Sequence, residues 1–382
     1  MNLPKSGGHV TKKSLLKLAS LIAVSSLWLA ACAQAPTAPS SSNDSAPASS
    51  ATGGQTAASS GNFKACMVSD FGGFDDKSFN ETSYKGLLQA KEQLGIETAQ
   101  IESKQESEYA RNVQSMIDAR CGVIVTVGFA LANATEAAAK QNPDTKFAIV
   151  DNNSFDGVSN AKGLIFNTAE PAFMAGDVAA SLTQTGKVGT FGGANYPTVS
   201  IFMDGFAQGV EYYNQAKGKS VQVLGWDRSS KDGQFIGGND PFGDQTGGKN
   251  TANTLIAQGA DIILPVAGPA GLGALAAVKE SNGKVNAIWV DTDGYVSAPE
   301  YKDVIITSIE KGMDVAVLEI IKAAKDGTFS ADPYVGDLKN KGVDLAEFHD
   351  FDSKVSSETK SELDQIRADI VSGKIVVDTP VK

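Results

Sequence analysis

Short runs rich in valine and isoleucine recur along this chain, each followed by a stretch with helical spacing. That alternation restricts the fold more than any other feature. Strand-like runs lie at 65–68, 98–102, 123–127, 147–150 and 164–166, and again at 188–191, 221–226, 262–266, 285–290 and 304–309. Helical stretches fall at 79–94, 108–119, 131–141, 171–185, 199–214, 249–258, 270–281, 313–325 and 357–371. Asn142-Pro143 stops one helix, Pro171 suits the first turn of the next, and Gly373 closes the last. Strands that are apolar throughout and joined by helices build parallel sheets covered on both faces. The set occurs twice, so the expected fold is α/β: two Rossmann-like lobes joined by a hinge that closes on a ligand between them. Crossings between lobes are expected near 166–169, 291–295 and 328–334. That assigns 62–167 plus 291–328 to lobe 1 and 168–290 plus 329–382 to lobe 2. A strand-and-loop stretch is expected at 335–351 and a last short strand at 374–377.

The first 61 residues have a different character. Lys5, Lys12, Lys13 and Lys17 precede or border a mostly apolar run at 18–31, which is too short to span a bilayer as a mature helix and suits a signal-peptide core. The run ends in L-A-A-C, which resembles the bacterial lipobox and marks Cys32 as the acylated new amino terminus. Residues 1–31 are therefore expected to be a lipoprotein signal peptide. Residues 32–61, almost entirely Ala, Ser, Thr, Pro and Gly after Cys32, read as a flexible tether with a reach of about 30 Å.

Residues 62–382 carry 29 basic and 43 acidic side chains once four lysines and one aspartate of the first 61 are set aside, a formal charge of −14. Such a surface repels nucleic acid and anionic headgroups, so neither is an expected partner. No later segment is apolar enough to span a membrane, which leaves the lipid as the expected anchor. Cys66 and Cys121 open two apolar runs that are neighbours in many doubly wound sheets. Export permits a disulfide between them, and two buried thiols fit equally well.

The stretch at 69–80, S-D-F-G-G-F-D-D-K-S-F-N, joins the first strand to the first helix. Such turns line the ligand crevice of open α/β sheets. Gly72 and Gly73 allow a sharp bend, and Ser78 with Glu81 has capping-box spacing. Asp70, Phe79 and Asn80 then gather a carboxylate, a ring and an amide, a set that can recognise a flat polar molecule. A plain strand–turn–helix junction with solvated acids has the same pattern. G-D-Q-T-G-G-K-N at 243–250 nearly matches a P-loop, but Asn250 replaces the Ser or Thr that would bind magnesium. A Gly-rich loop beside a cleft is expected there. Gly268 lies in a strand-to-helix turn without dinucleotide spacing, and still offers backbone N–H groups to a polar ligand. The acidic set Asp70, Asp75 and Asp76 has the wrong register for a calcium site. His349, the sole histidine of the domain, is expected at the surface, which leaves no His/Cys metal cluster and no catalytic triad. No metal or cofactor is expected. Phe129 and Phe242, in loops of different lobes, either pack in the core or sandwich a planar base.

D-F-G-G-F-D-D-K-S-F-N, V-G-F-A-L-A (127–132), N-P-D-x-x-F-A-I-V-D (142–151), D-G-F-A-Q-G (204–209), Q-G-A-D-I-I-L-P-V-A-G (258–268), W-V-D-T-D (289–293) and T-S-I-E-K (307–311) together resemble the basic membrane lipoprotein (Bmp) family. These are nucleoside-type substrate-binding lipoproteins of ABC importers. The resemblance implies the type I periplasmic-binding-protein fold and a purine nucleoside held between two phenylalanines, one per lobe. Carried over by motif, Asp70 would read the base edge, Phe79 and Phe242 would stack on it, and Asn80 would be a further contact. Gly268, Asp291 and Lys311 would hold the ribose. The implied protein is a monomeric, lipid-anchored receptor on the extracytoplasmic face of the cell membrane that hands its ligand to an ABC permease, without catalysis. Three rivals remain. A nucleoside-processing enzyme predicts turnover, a host-binding surface lipoprotein predicts a protein partner, and a receptor for a sugar or other metabolite fits if opposed cleft aromatics are lacking.

Overall fold

The computed structural model describes residues 63–378; the signal peptide, Cys32 and the tether lie outside the described residues. In chain order the elements begin β1 (Lys64–Ser69), α1 (Phe79–Leu94), β2 (Glu97–Glu102), α2 (Tyr109–Asp118), β3 (Val123–Val127), α3 (Ala132–Gln141), β4 (Lys146–Val150) and β5 (Ala161–Phe166). Then come α4 (Ala169–Leu182), β6 (Lys187–Gly192), α5 (Pro197–Lys217), β7 (Gln222–Leu224), the small hairpin β8 (Trp226–Asp227) and β9 (Asp232–Gly233), and α6 (Gln245–Ala257). The rest is β10 (Ile262–Val266), α7 (Ala270–Glu280), β11 (Asn286–Asp291), α8 (Gly294–Ser297), β12 (Ile305–Lys311), α9 (Met313–Lys325), β13 (Tyr334–Gly336), β14 (Val343–Leu345) and α10 (Ser357–Val371).

Two sheets result. The first has the order β13-β5-β4-β3-β1-β2, all parallel. The second has the order β14-β12-β11-β10-β6-β7, parallel except where β14 runs against β12. The run 2-1-3-4-5 in one sheet thus recurs as 7-6-10-11-12 in the other. Each sheet reverses direction beside its first strand, and the loops after β1, β3, β6 and β10 frame that switch point, where doubly wound folds bind ligands. The central strands are apolar on both faces because helices cover both; β3, V-I-V-T-V, is wholly buried. Its Thr126 hydroxyl meets the Thr135 hydroxyl at 2.8 Å, so the polar group is not stranded.

The chain changes sheet after β5, at Gly312 and between β13 and β14. The crossing expected at 291–295 is not there. β11 and β12 are neighbours in the second sheet, so 291–311 goes with lobe 2. The polar turn after Asp291 looks like a departure, but α8 and a short turn at Pro299–Tyr301 return the chain to the same sheet. Lobe 1 instead receives α9, whose Asp314 carbonyl and Val317 lie so close to Gly86 of α1 that an added Cβ would stand 2.5 and 2.8 Å from them. It also receives β13, which extends the first sheet beside β5 although 329–382 was expected in lobe 2. Residues 374–377 form no strand; the Lys374 and Ile375 N–H groups donate to the Asp369 carbonyl and wind off the end of α10. Within 243–250 the glycine-rich loop is mostly helix, because Asp244 accepts from the Gly247 N–H at 2.9 Å and starts α6 there. Of the two states open to Cys66 and Cys121, the structure has the disulfide, with Cα atoms 5.9 Å apart, tying β1 to the start of β3.

One buried group makes no use of this packing. Asp177 on α4 is 0 % exposed, and neither carboxylate oxygen has a hydrogen-bond partner. Burial, with some help from the charge of Glu362 and against Lys217, pushes its pKa up to about 7. The folded chain therefore holds a proton that the unfolded chain releases near pH 4. This stabilisation is complete below that pH and is lost as pH rises through about 7. Asp177→Asn is expected to raise stability at pH 8 by roughly 1–3 kcal/mol and to flatten the fall of Tm with pH, as read by thermal melts. An unchanged melting profile would show the carboxylate to be matched elsewhere.

Candidate functional site

The strand ends of both sheets converge on one cavity, whose empty space of about 550 Å³ includes open solvent at its mouth. Asp70, Phe79, Asn80, Phe129, Phe242, Gly268, Asp291 and Lys311 all line it. So do Asp76, Asp151, Tyr196 and Phe202, which reading the sequence did not assign to the site. The first four arise from lobe 1 after β1, in the first turn of α1 and after β3. The other four arise from lobe 2, after β10, at the ends of β11 and β12, and in the loop before α6.

At one end the cavity is ionic. The Lys311 ammonium is nearly sealed from water and lies 2.7 Å from Asp151 Oδ2 and 3.5 Å from Asp291 Oδ1. Its Nζ also sits 5.0 Å from the centre of the Phe79 ring and 5.1 Å from that of Phe202. Burial alone would pull the lysine pKa down, but the two carboxylates outweigh it and the net shift is upward. Burial pushes the Asp151 carboxyl up, against the pull of Lys311. The two aspartates occupy equivalent places: β4 leads into F-A-I-V-D and β11 ends A-I-W-V-D. Each has a positive φ, 64° at Asp151 and 74° at Asp291, a conformation that aspartate tolerates better than most residues.

At the other end the cavity offers a carboxyl and an amide. Asn80 donates through Nδ2 to Asp70 Oδ1 and to the Phe71 carbonyl, both at 3.0 Å. With both donors engaged the amide has one orientation, and its Oδ1 is a buried acceptor with no partner in the chain. Burial, followed by the charges of Asp76 and Asp151, pushes the Asp70 carboxyl well above the usual range, although the Asn80 bond opposes this. Asp76, not Ser78, caps α1. Its oxygens accept from the N–H groups of Ser78, Asn80 and Glu81 at 3.0, 2.8 and 3.0 Å. Burial still leaves its pKa raised to about 6. Ser78 is thereby free to cross between lobes and donate to Asp291 Oδ2 at 2.8 Å. Glu81 accepts from the Lys77 N–H rather than from Ser78, one residue out of capping-box register.

Strand order sets the length of the site. Lys311 ends β12 and Tyr196 follows β6, three positions along the same sheet, about 14 Å at ordinary strand spacing. At the Tyr196 end the rings of Phe129 and Tyr196 lie 5.1 Å apart and those of Tyr196 and Phe242 lie 5.9 Å apart. Phe129 and Phe242 are therefore each in ring contact with Tyr196. Phe79 and Phe242 line the cavity from opposite lobes. A flat packing surface at Gly193 holds Phe242, since a Cβ there would come within 2.5 Å of its ring.

Some of the missed residues had a signal. Asp151 ends a run that repeats the run before Asp291, and Tyr196 stands immediately before a helix-starting proline. Phe202 sits on a helix that reads as core and had none. His349 is half-buried rather than a free surface group; its Nε2 lies 2.8 Å from Asp293, and its ring stacks on Tyr295 at 4.1 Å, outside the cavity. Among the described residues no group of three or more His, Cys, Asp or Glu side chains is placed to hold a metal ion. Among them, too, no helix is long and apolar enough to cross a membrane.

Comparison with known proteins identifies this architecture. The chain is 32 % identical over 320 residues to basic membrane protein A of Borreliella burgdorferi, covering 82 % of this chain and 87 % of that one. It is 32 % identical over 331 residues to the ABC transporter nucleoside-binding protein BmpA of Lactococcus lactis, covering 82 % and 88 %. A crystal structure of an ABC transporter solute-binding protein from Aeropyrum pernix superposes with a TM-score of 0.75 at 25 % identity, covering 84 % of this chain and 94 % of that one. The expected two-lobed type I periplasmic-binding fold is thus present. Residues 63–379 match the family model described as ABC transporter substrate-binding protein, PnrA-like, and the chain belongs to this Bmp family of substrate-binding proteins.

Proposed function

We propose that this substrate-binding protein captures a nucleoside of the purine class between its lobes, without catalysis, and passes it to an ABC permease. It acts as a monomer held by acylated Cys32 on the extracytoplasmic face of the cell membrane. The observation that carries the reading is the two-ended cavity: base-reading acceptors at one end, a lysine between two aspartates at the other, and phenylalanines of both lobes along it. A nucleoside has the matching parts, a flat base with polar edges and a ribose with vicinal hydroxyls. Asp291 accepts from hydroxyls and Lys311 donates to them. The name of the Lactococcus lactis relative supports the same class.

Closure is built from bonds that only adjacent lobes can make. They are Lys311 to Asp151, Ser78 to Asp291, and the Trp289 indole N–H to the Lys77 carbonyl at 3.3 Å. A ligand that fills the cavity adds its own contacts to both walls and so favours the closed form.

Calorimetry with guanosine, adenosine, inosine, uridine and ribose tests the class. A purine nucleoside is expected to bind without product, and Phe79→Ala and Asp70→Ala to weaken it by about 1–3 kcal/mol each. Release of free base would make the protein an enzyme. Silence toward every nucleoside, with binding of ribose alone, would make it a sugar receptor.

The protonation state of Asp70 decides which base edge fits. Its Oδ1 is taken by Asn80, which leaves Oδ2 free of that bond, and Asn80 keeps an Oδ1 acceptor with no partner in the chain. Ionised, the pair presents two acceptors and suits the adjacent N1–H and N2–H donors of guanine. Protonated, it presents a donor and an acceptor and suits N1 and the amine of adenine. The Asp70 pKa is raised, so the proton is present at low pH and leaves as pH rises. The guanosine-to-adenosine affinity ratio is expected to climb as pH rises above the ordinary carboxylate range, by at most about tenfold per unit, and Asp70→Asn to flatten it. A ratio that does not move in the unaltered protein would remove Asp70 from base selection.

A further inference from the structure

Tyr196 is placed to do more than line the cavity. It comes from lobe 2, between β6 and α5, and its ring meets that of Phe129 from lobe 1 at 5.1 Å. This ring contact spans the two lobes, and its lobe 2 partner follows β6, three strands away from the β12 that Lys311 ends. On its own side Tyr196 leans on Phe242 at 5.9 Å. Phe242 is fixed: its carbonyl accepts from the Ala270 N–H at 2.7 Å and its ring lies against Gly193.

The backbone of Tyr196 is equally fixed. Pro197 begins α5 and confines the residue before it to extended geometry, observed as φ −96° and ψ 148°. The Tyr196 carbonyl accepts from the N–H groups of Val199 and Ser200, both at 2.9 Å, and its own N–H donates to Ala194 at 2.8 Å. Only the side-chain torsions are left to move. The residue is half-buried and lines the cavity. A single ring on a rigid post, resting on a fixed ring and touching the opposite lobe, has the mechanics of a door.

We propose that Tyr196 is the gate of the cleft: its ring, closed against Phe129 of the other lobe, sets how fast a ligand enters and leaves. The proposal rests on the nucleoside reading for the identity of the ligand. A gate differs from an ordinary wall in its kinetics. Removing a wall speeds release alone, whereas removing a gate speeds both directions and moves Kd less than either rate.

Stopped-flow binding of guanosine to the full-length protein in detergent separates the cases. Tyr196→Ala is expected to speed release and association by about tenfold each, the factor that one lost ring contact carries. Phe129→Leu, on the other lobe, is expected to reproduce the effect, and Tyr196→Phe, which keeps the ring, to restore slow exchange. Thermal melts of each variant confirm that it is folded. Faster release without faster association in Tyr196→Ala makes Tyr196 a wall and overturns the gate. Unchanged rates in both Tyr196→Ala and Phe129→Leu, with guanosine still bound, overturn it too and leave the receptor reading intact. Failure of guanosine to bind the unaltered protein overturns both.

Discussion

The structure depends on one buried ammonium. Lys311 is 4 % exposed, and an unpaired lysine so placed would be several kcal/mol unfavourable or would lose its proton. It stays charged because Asp151 and Asp291 stand beside it and because rings of Phe79 and Phe202 face its remaining side. Asp291 belongs to the same sheet as Lys311, whereas Asp151 belongs to the other. The lysine is therefore fully paired only when the lobes are together, which makes a closed cleft the state in which its charge is satisfied. Gly312 follows directly, so the residue that joins the lobes electrostatically also borders the backbone that joins them covalently.

The site arises from repetition with substitution. Both lobes carry the same strand order, and both present loops after corresponding strands. Aspartate ends the fourth position in each, at 151 and 291, and glycine bends the chain after the third, at 128 and 268. At the first position the lobes differ. After β1 the chain places Asp70 and, through α1, Phe79 and Asn80; after β6 it places Tyr196. A common scaffold thus fixes the ionic end of the cavity twice over, while the other end is assembled from unlike halves. Loops carry this difference because a rigid sheet tolerates changes at its rim.

Most elements and half of the site were legible because their causes are local. The strand β1, the bend at Gly72-Gly73 and the helix α1 lie within about thirty residues, so their apolar period and turn chemistry suffice to bring Asp70, Phe79 and Asn80 together. Capping was harder. Asp76 and Ser78 both offer an oxygen to the first N–H groups of α1; Asp76 takes them, and Ser78 donates to Asp291 across the lobes. The turn after Asp291 was misread as a crossing for a related reason. A polar turn after an apolar strand looks the same whether the chain leaves the sheet or comes back to it.

The amino-acid sequence by itself determined the alternation of parallel strands and helices, the strand ends at which chemistry appears, and the family motifs that these residues compose. Those are properties of short segments, set by side-chain period, glycine and proline geometry and the chemistry of turns. Only the tertiary structure decided that β12 joins the second sheet, that Cys66 and Cys121 form a bridge, that Asp151 completes the pairing of Lys311, and that Tyr196 meets the rings of both Phe129 and Phe242. Each of these joins segments remote in the chain, and their meeting depends on the packing of whole lobes, which no local period encodes.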